Sequence, residues 1–358
     1  MRDHLVRFVG SKGEDVELDV MTGGLPLRTM QALAGDSRDA GVSGLVVTEA
    51  GRTAYLSCAA AALAGEGLHL STGVAVAFPR SPMINAQVAW ELAETTGGRF
   101  RLGLGTQIRT HIERRYGTTF DRPGPRLREH VLAVRACFAA FRGDAKLDFE
   151  GEFYRLSFLT PAWAPGRLDA PDPPVDVAAV NPWMLRMAGE VADGVHVHPL
   201  ATEPYLREVV VPEVAAGATR AGRASTDVAL LVPVHVVVGE TEEERRPWRD
   251  LARTQIAFYA TTPNYRFILE RIGHAELQDR VRERQKAGDI AGMAAAVGDD
   301  ALAHFTVTAG WDELAGALRA RFAGVASRLI VYAASAAWQR DPSTLHRFGQ
   351  VAAELSAA

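Results

Sequence analysis

Cysteine is nearly absent: the 358 residues contain two, Cys58 and Cys137, and no Cys-x-x-Cys pair. That disfavours a disulfide framework. Both thiols lie on helix-like segments among Ala, Val and Phe, so they are expected to be buried in a reducing compartment. A surplus of one charge is missing too. Thirty-nine basic residues stand against 43 acidic ones, for a net charge of -4, and no block of five like charges occurs. The short run Glu242-Glu243-Glu244-Arg245-Arg246 reads as a solvated helix face. Without a basic stripe, a nucleic-acid partner is not expected. No uncharged run approaches the ~18 residues of a membrane span. Residues 1–15 are polar and lack an apolar stretch, so no secretory signal is expected and a cytoplasmic location follows. A Gly-x-Ser-x-Gly elbow, a P-loop and an H-E-x-x-H helix are all missing. The common hydrolases and ATPases therefore have little support.

Periodicity is what the chain does have. With 47% apolar residues it can bury the core of one large domain or two ordinary ones. Short apolar runs at 18–22, 45–49, 70–77, 100–104, 175–180, 195–198, 228–238 and 329–334 alternate with helical patterns. In one of these helices, Met83, Ala86, Trp90 and Ala93 recur at spacings of three and four. Eight strands in strict alternation with helices predict an α/β TIM (β/α)8 barrel, read as a single domain over 1–358. A doubly wound open sheet is the alternative. It lacks its Gly-rich fingerprint, because Gly103-Leu104-Gly105 is followed by Thr106, Gln107 and Ile108. Two segments exceed a minimal barrel. Residues 142–174 centre on Glu150-Gly151-Glu152 and read as a hairpin with a proline-rich connection. Residues 239–328, between strands seven and eight, hold several helical patterns and read as a roof over the barrel mouth. Within them, the charged run 279–289 is the expected mobile piece.

In a parallel barrel the functional groups come from the C-terminal strand ends. Glu49 ends an apolar run. It reads either as a cap for the helix starting near Thr53 or as a carboxylate whose pKa is raised by partial burial, able to handle a proton. Gly73-Val74-Ala75 reads as tight packing or a bulge, or as backbone pressed against a flat ring. His196 and His198 alternate and so face one way. A metal is not expected, since the further ligands are missing; a phosphate or nearby backbone is the expected partner. Asn181 and Pro182 are a good N-cap and first helical residue, and the same helix end suits a phosphate. His111, with Glu113, Arg114, Arg115 and Tyr116, follows strand four closely enough to reach a cofactor tail. Phe78, Trp183, Phe258, Tyr259 and Tyr265 suggest an apolar or aromatic substrate pocket, although helix aromatics are commonly core.

Several segments together carry a resemblance. They are Thr22-Gly23-Gly24-Leu25-Pro26, Ala75-Val76-Ala77-Phe78-Pro79-Arg80-Ser81-Pro82, Gly98-Arg99-Phe100 and Leu102-Gly103-Leu104-Gly105-Thr106-Gln107, then His111-Ile112-Glu113-Arg114-Arg115-Tyr116-Gly117, 188–199 and Ala257-Phe258-Tyr259. In this order they resemble the luciferase-like monooxygenase superfamily, and within it the oxidoreductases that use the deazaflavin coenzyme F420. The resemblance implies a TIM barrel with the cofactor ring at the C-terminal strand ends. It also implies a non-proline cis peptide near Gly73-Val74. Catalytic roles fall on Glu49, Thr106 and His111. Gly73, Val74 and Ala75 would lie behind the ring, with Thr106 and His111 beside the ring and ribityl chain. The phosphate would sit near Ala179, Val180, Asn181 and His198. Two departures matter. Some relatives carry an Asp-His pair where this chain has Glu49-Ala50, and a glutamate acid of a sugar-phosphate dehydrogenase would fall near Ile108. The implied function is hydride transfer between coenzyme F420 and an organic small molecule. The alternative is an FMN-dependent monooxygenase using reduced flavin and oxygen. A homodimer is left open.

Overall fold

The structure, a computed structural model, describes residues 16–357; the segment on which the expectation of no secretory signal rests lies outside the described residues. Eight strands build the centre: β1 Glu17–Thr22, β2 Gly44–Val47, β3 His69–Thr72, β4 Phe100–Gly105, β5 Val175–Ala179, β6 Gly194–Val197, β7 Ala229–Val238 and β8 Arg328–Val331. Each pairs in parallel with its successor, and β8 closes on β1 with Leu18 opposite Leu329. The predicted closed barrel is therefore present, and the open sheet is not. Helices cover its outside. Pro123–Arg142, for instance, buries Leu127, Val131, Val134, Phe138 and Phe141 along one stripe. Cys58 and Cys137 are free and buried, as expected.

Alternation along each strand sends every second residue into the barrel. The inward set is layered. At the N-terminal end it is ionic. Arg101 donates to Asp176 through Nε (2.8 Å) and Nη2 (2.6 Å), and Arg328 donates to Asp19 through Nε (2.7 Å) and Nη2 (2.6 Å). Burial works against the Arg101 charge, but Asp176 outweighs it and holds the guanidinium above its ordinary range. Above this layer sits a small apolar cluster of Met21, Val46, Ala229, Leu231 and Ile330, with Tyr332 against it. The much larger core lies between sheet and helices.

Three elements depart from the sequence reading. The run 70–77 is not one strand: β3 ends at Thr72, a cis peptide joins Gly73 to Val74, and pairing with β4 resumes at Ala75–Val76. The second run stops at Val47, so Glu49 is a loop residue. The segment 239–328 is not purely helical. Thr306–Ala309 forms a further parallel strand beside the second half of β7, with His235 opposite Thr306. Its four alternating residues are too short a pattern to stand out among helices. The charged run 279–289 mostly belongs to helix Ala275–Lys286, which buries Leu277, Gln278 and Val281. The hairpin is present, pairing Phe149–Glu150 with Arg155–Leu156. Glu129 holds its turn, accepting from the N–H groups of Glu152, Phe153 and Tyr154 at 2.9, 2.7 and 2.7 Å.

Candidate active site

The floor of the barrel mouth is made by two glycines and a histidine. A Cβ on Gly103 would lie 2.0 Å from the Thr72 carbonyl oxygen and 2.7 Å from His196 Nε2; one on Gly73 would lie 2.3 Å from Val46 Cγ1 and 3.3 Å from His196 Cε1. Side chains are excluded at Gly103 first by the Thr72 carbonyl and at Gly73 first by Val46, with the His196 ring next in contact at both. That ring is fully enclosed, its Nε2 has no hydrogen-bond partner, and burial pushes it down to about 4 against the pull of Asp176. His196 therefore cannot meet a phosphate. It plugs the barrel, so a ligand at the mouth would lie on top of the strand ends.

On the β2–β3 side, Glu49 is neither a helix cap nor a free acid. The helix Ala54–Ala62 begins at Thr53 with no side-chain cap. The Glu49 carboxylate, 3% exposed, accepts from the Val76 N–H at 2.7 Å and from Arg80 Nη1 and Nη2 at 2.9 and 2.5 Å. Burial opposes the Arg80 charge, but Glu49 outweighs it and keeps that group above its ordinary range. Arg80 also lies 4.8 Å from the centre of the Tyr55 ring. From Tyr55 a buried chain runs inward: Tyr55 Oη donates to Asn85 Oδ1 (2.7 Å), Asn85 Nδ2 meets His130 Nε2 (2.7 Å) and His130 Nδ1 meets Tyr154 Oη (3.1 Å). Since Asn85 Nδ2 can only donate, His130 Nε2 accepts and Nδ1 carries the proton. Burial keeps this imidazole neutral, down to about 3. The chain couples the hairpin insertion to the loop after β3. Sequence reasoning missed it, because Asn85 and His130 look like ordinary helix residues.

The other expected residues fall as follows. Thr106 is half-buried and its hydroxyl donates to the Gln107 carbonyl at 3.0 Å. Gln107 takes a left-handed φ of 56°, unusual for a non-glycine residue. His111 is half-buried on helix Arg109–Arg114. Ala179 ends β5, the Val180 carbonyl accepts from Tyr205 Oη at 2.8 Å, and Asn181 caps helix Pro182–Val191 by accepting from the Met184 N–H at 2.9 Å. That cap, correctly read from sequence, takes one of the donors a phosphate would use. Phe78 is not a pocket residue on its present packing: it is 3% exposed, 6.2 Å from the Phe120 ring, with Arg126 4.6 Å over its face. Trp183 is exposed and rests on Gly124, and Phe258 is exposed beside Tyr259.

Two of the three aromatics named for the roof, Tyr259 and Tyr265, lie against His198, just past the end of β6. The His198 ring is 4.7 Å from Tyr259 and 4.2 Å from Tyr265. Its Nδ1 accepts from the Leu200 N–H at 3.1 Å, so its Nε2 carries the proton; burial pushes the ring down to about 3. Two further residues complete this side and were not singled out from sequence: His235 on β7 and Tyr332 at the end of β8, with rings 4.8 Å apart. A histidine interrupting the apolar run of β7 was the available signal. Among the described residues, no cluster of His, Cys, Asp and Glu has the geometry to hold a metal, and no helix is long and apolar enough to cross a membrane.

Comparisons with known proteins agree with this fold. The family model for luciferase-like monooxygenases matches residues 12–328. An uncharacterized protein of Mycobacterium tuberculosis is 40% identical over 290 residues, 81% of this chain and 85% of that protein. The 5,10-methylenetetrahydromethanopterin reductase of Archaeoglobus fulgidus is 27% identical over 269 residues, 74% of this chain and 76% of its own. Among solved structures, the coenzyme F420 dependent tetrahydromethanopterin reductase of Methanopyrus kandleri superposes with a TM-score of 0.74 at 19% identity, covering 94% of this chain and 98% of its own.

Proposed function

We propose, for a chain that belongs to the luciferase-like monooxygenase family and is an oxidoreductase, a specific reaction: hydride transfer between the deazaflavin coenzyme F420 and an organic substrate. One observation carries this reading. His196 fills the barrel against Gly73 and Gly103, where no side chain fits, so a planar tricyclic ring would rest on the Gly73–Val74–Ala75 backbone at the strand ends. The reductase relatives support the deazaflavin over FMN. When bound, the deazaflavin supplies two-electron hydride chemistry with little reactivity toward oxygen.

The chain's own residues then have defined tasks. Gly73, Val74 and Ala75 would back the ring. Glu49, through Arg80 and the Val76 N–H, fixes the loop that follows them. Thr106 and His111 would line the ring and ribityl chain from β4, with roles in catalysis that follow from that contact. Ala179, Val180, Asn181 and the Nε2–H of His198 would hold the phosphate end. Tyr259 and Tyr265 would exclude water from the hydride path. The test is a titration of the purified protein with coenzyme F420 and with FMN, read by fluorescence and calorimetry. Tighter binding of the deazaflavin is expected. Micromolar binding of FMN with no saturable deazaflavin binding would replace this reading by the flavin monooxygenase one.

A further inference from the structure

Among the described residues, the side of the mouth formed by β6, β7 and β8 brings together five aromatic polar side chains, His198, His235, Tyr259, Tyr265 and Tyr332, and no ion pair includes any of them. Two phenols lie in direct contact there, Tyr259 Oη and Tyr332 Oη at 2.6 Å. A pair of hydroxyls places one proton between the two oxygens and leaves a second O–H undirected. Neither oxygen has another hydrogen-bond partner among the described residues. The pair therefore holds one spare donor, half-buried at the strand ends.

Tyr332 is aimed rather than loose. It shares the inward parity of Arg328 and Ile330 and packs on the apolar cluster inside the barrel. The next residue, Ala333, takes a left-handed φ of 61°, a conformation that costs a non-glycine residue about 1 kcal/mol or more and so marks an enforced chain direction. Beside it, His235 bonds the Pro199 backbone with one ring nitrogen, while its buried Nε2 has no partner. His235 and His198 are both held neutral by burial, at about 4 and about 3. Glu49, the carboxylate at this mouth with an acid's chemistry, is bound by Arg80 and a backbone N–H. A charged substrate group placed beside His235, Tyr259 and Tyr332 would find no counter-charge, which is costly in a half-buried site, and a phosphate held at His198 would repel an anion further.

We propose that the Tyr259–Tyr332 pair is the proton donor of this site and that the substrate's reacting group is a neutral carbonyl. This rests on the hydride-transfer reading above. As hydride from the reduced deazaflavin adds to the carbonyl carbon, the C=O π bond breaks and its electron pair moves to oxygen. With Tyr259 donating to Tyr332, the spare O–H is that of Tyr332, and the carbonyl oxygen takes its proton. The phenolate left behind accepts a hydrogen bond from Tyr259 and regains a proton from water.

The experiment uses the full chain with chemically reduced coenzyme F420, follows reoxidation by absorbance, and offers cyclohexanone and benzaldehyde as probes. Deazaflavin affinity is measured separately by titration. Wild-type protein should reoxidise the cofactor with at least one carbonyl. Tyr332→Phe should slow that step at least about a hundredfold, as loss of a general acid does, with cofactor affinity within about twofold. Tyr259→Phe should slow it less, and the solvent deuterium effect seen in wild type should vanish in Tyr332→Phe. Wild-type rates in Tyr332→Phe, or a loss matched by an equal loss of cofactor affinity, overturn the proposal. So does bound cofactor that no carbonyl reoxidises. If the deazaflavin fails to bind at all, the titration shows it before any carbonyl is added; the hydride-transfer reading falls and takes this one with it.

Discussion

Removing Arg80 separates a clamp from an acid at Glu49. The carboxylate is buried and accepts three hydrogen bonds, two from the Arg80 fork at 2.9 and 2.5 Å and one from the Val76 N–H at 2.7 Å. Breaking one side of a buried pair costs about 3–5 kcal/mol, because the remaining charge stays desolvated. The Arg80 side chain is 16% exposed, so water can partly relieve that cost. About 3 kcal/mol is a fair expectation for Arg80→Ala. At ~2.1 cal/mol/K of unfolding entropy per residue, the whole chain has roughly 0.75 kcal/mol/K, and Tm should fall by about 4 °C. The consequence for function is local. Arg80 Nη1 also donates to the Val76 carbonyl at 2.9 Å, so the pair fixes both backbone polar groups of Val76 beside the cis peptide. Cofactor affinity should therefore fall in Arg80→Ala, in Arg80→Lys, which loses the fork, and in Glu49→Gln. The double variant should be no worse than the poorer single one. Thermal melts and deazaflavin titrations measure both quantities. A different result would refute the clamp: Tm unmoved within about 1 °C in Arg80→Ala, together with Glu49→Gln losing at least ~10²-fold in turnover at unchanged affinity. Glu49 would then be handling a proton.

Gly103→Ala should be among the most damaging single changes, since its Cβ would sit 2.0 Å from the Thr72 carbonyl oxygen, backbone that cannot swing away. A loss of about 3 kcal/mol or more in denaturant melts is expected, unrelieved by His196→Ala; an unchanged midpoint would contradict the packing argument. Acid should destabilise the fold early. His130, His196, His198 and His235 are held at about 3, 4, 3 and 4 in the folded state against an ordinary 6.5, so the unfolded chain takes up protons the folded one refuses. Their contribution is complete above pH ~6.5 and is lost as pH falls toward ~3–4, at about 1 kcal/mol per group for the first unit below. A Tm that stays flat from pH 7 to about 5 would refute it. Finally, cofactor should slow hydrogen exchange in helix Glu242–Ala260, which carries Tyr259 to the mouth. Identical exchange with and without cofactor would make the insertion a buttress rather than a roof.

Much of the architecture is written in local periodicity. Eight apolar runs separated by helical stripes suffice for a closed parallel barrel, because each strand and helix shows its buried face within its own few residues. Asn181 as an N-cap is legible for the same reason: the group it serves, the Met184 N–H, is three residues away. The candidate site is legible only in part. The strand ends could be numbered, so Glu49, Thr106, His198, Tyr259 and Tyr265 could be named. What each side chain touches could not. Glu49 meets Arg80 31 residues on, His130 meets Asn85 across 45, and Tyr259 meets Tyr332 across 73. Phe78 shows the cost: its loop lies at the mouth, yet its ring turns into the core. The sequence alone determined the barrel, its insertions and which loops crown it, because those follow from patterns a few residues long. The tertiary structure alone decided that Glu49 is clamped, that His196 plugs the floor and that two phenols meet over the mouth. Those contacts exist only once barrel closure sets distant strands and the roof helix side by side.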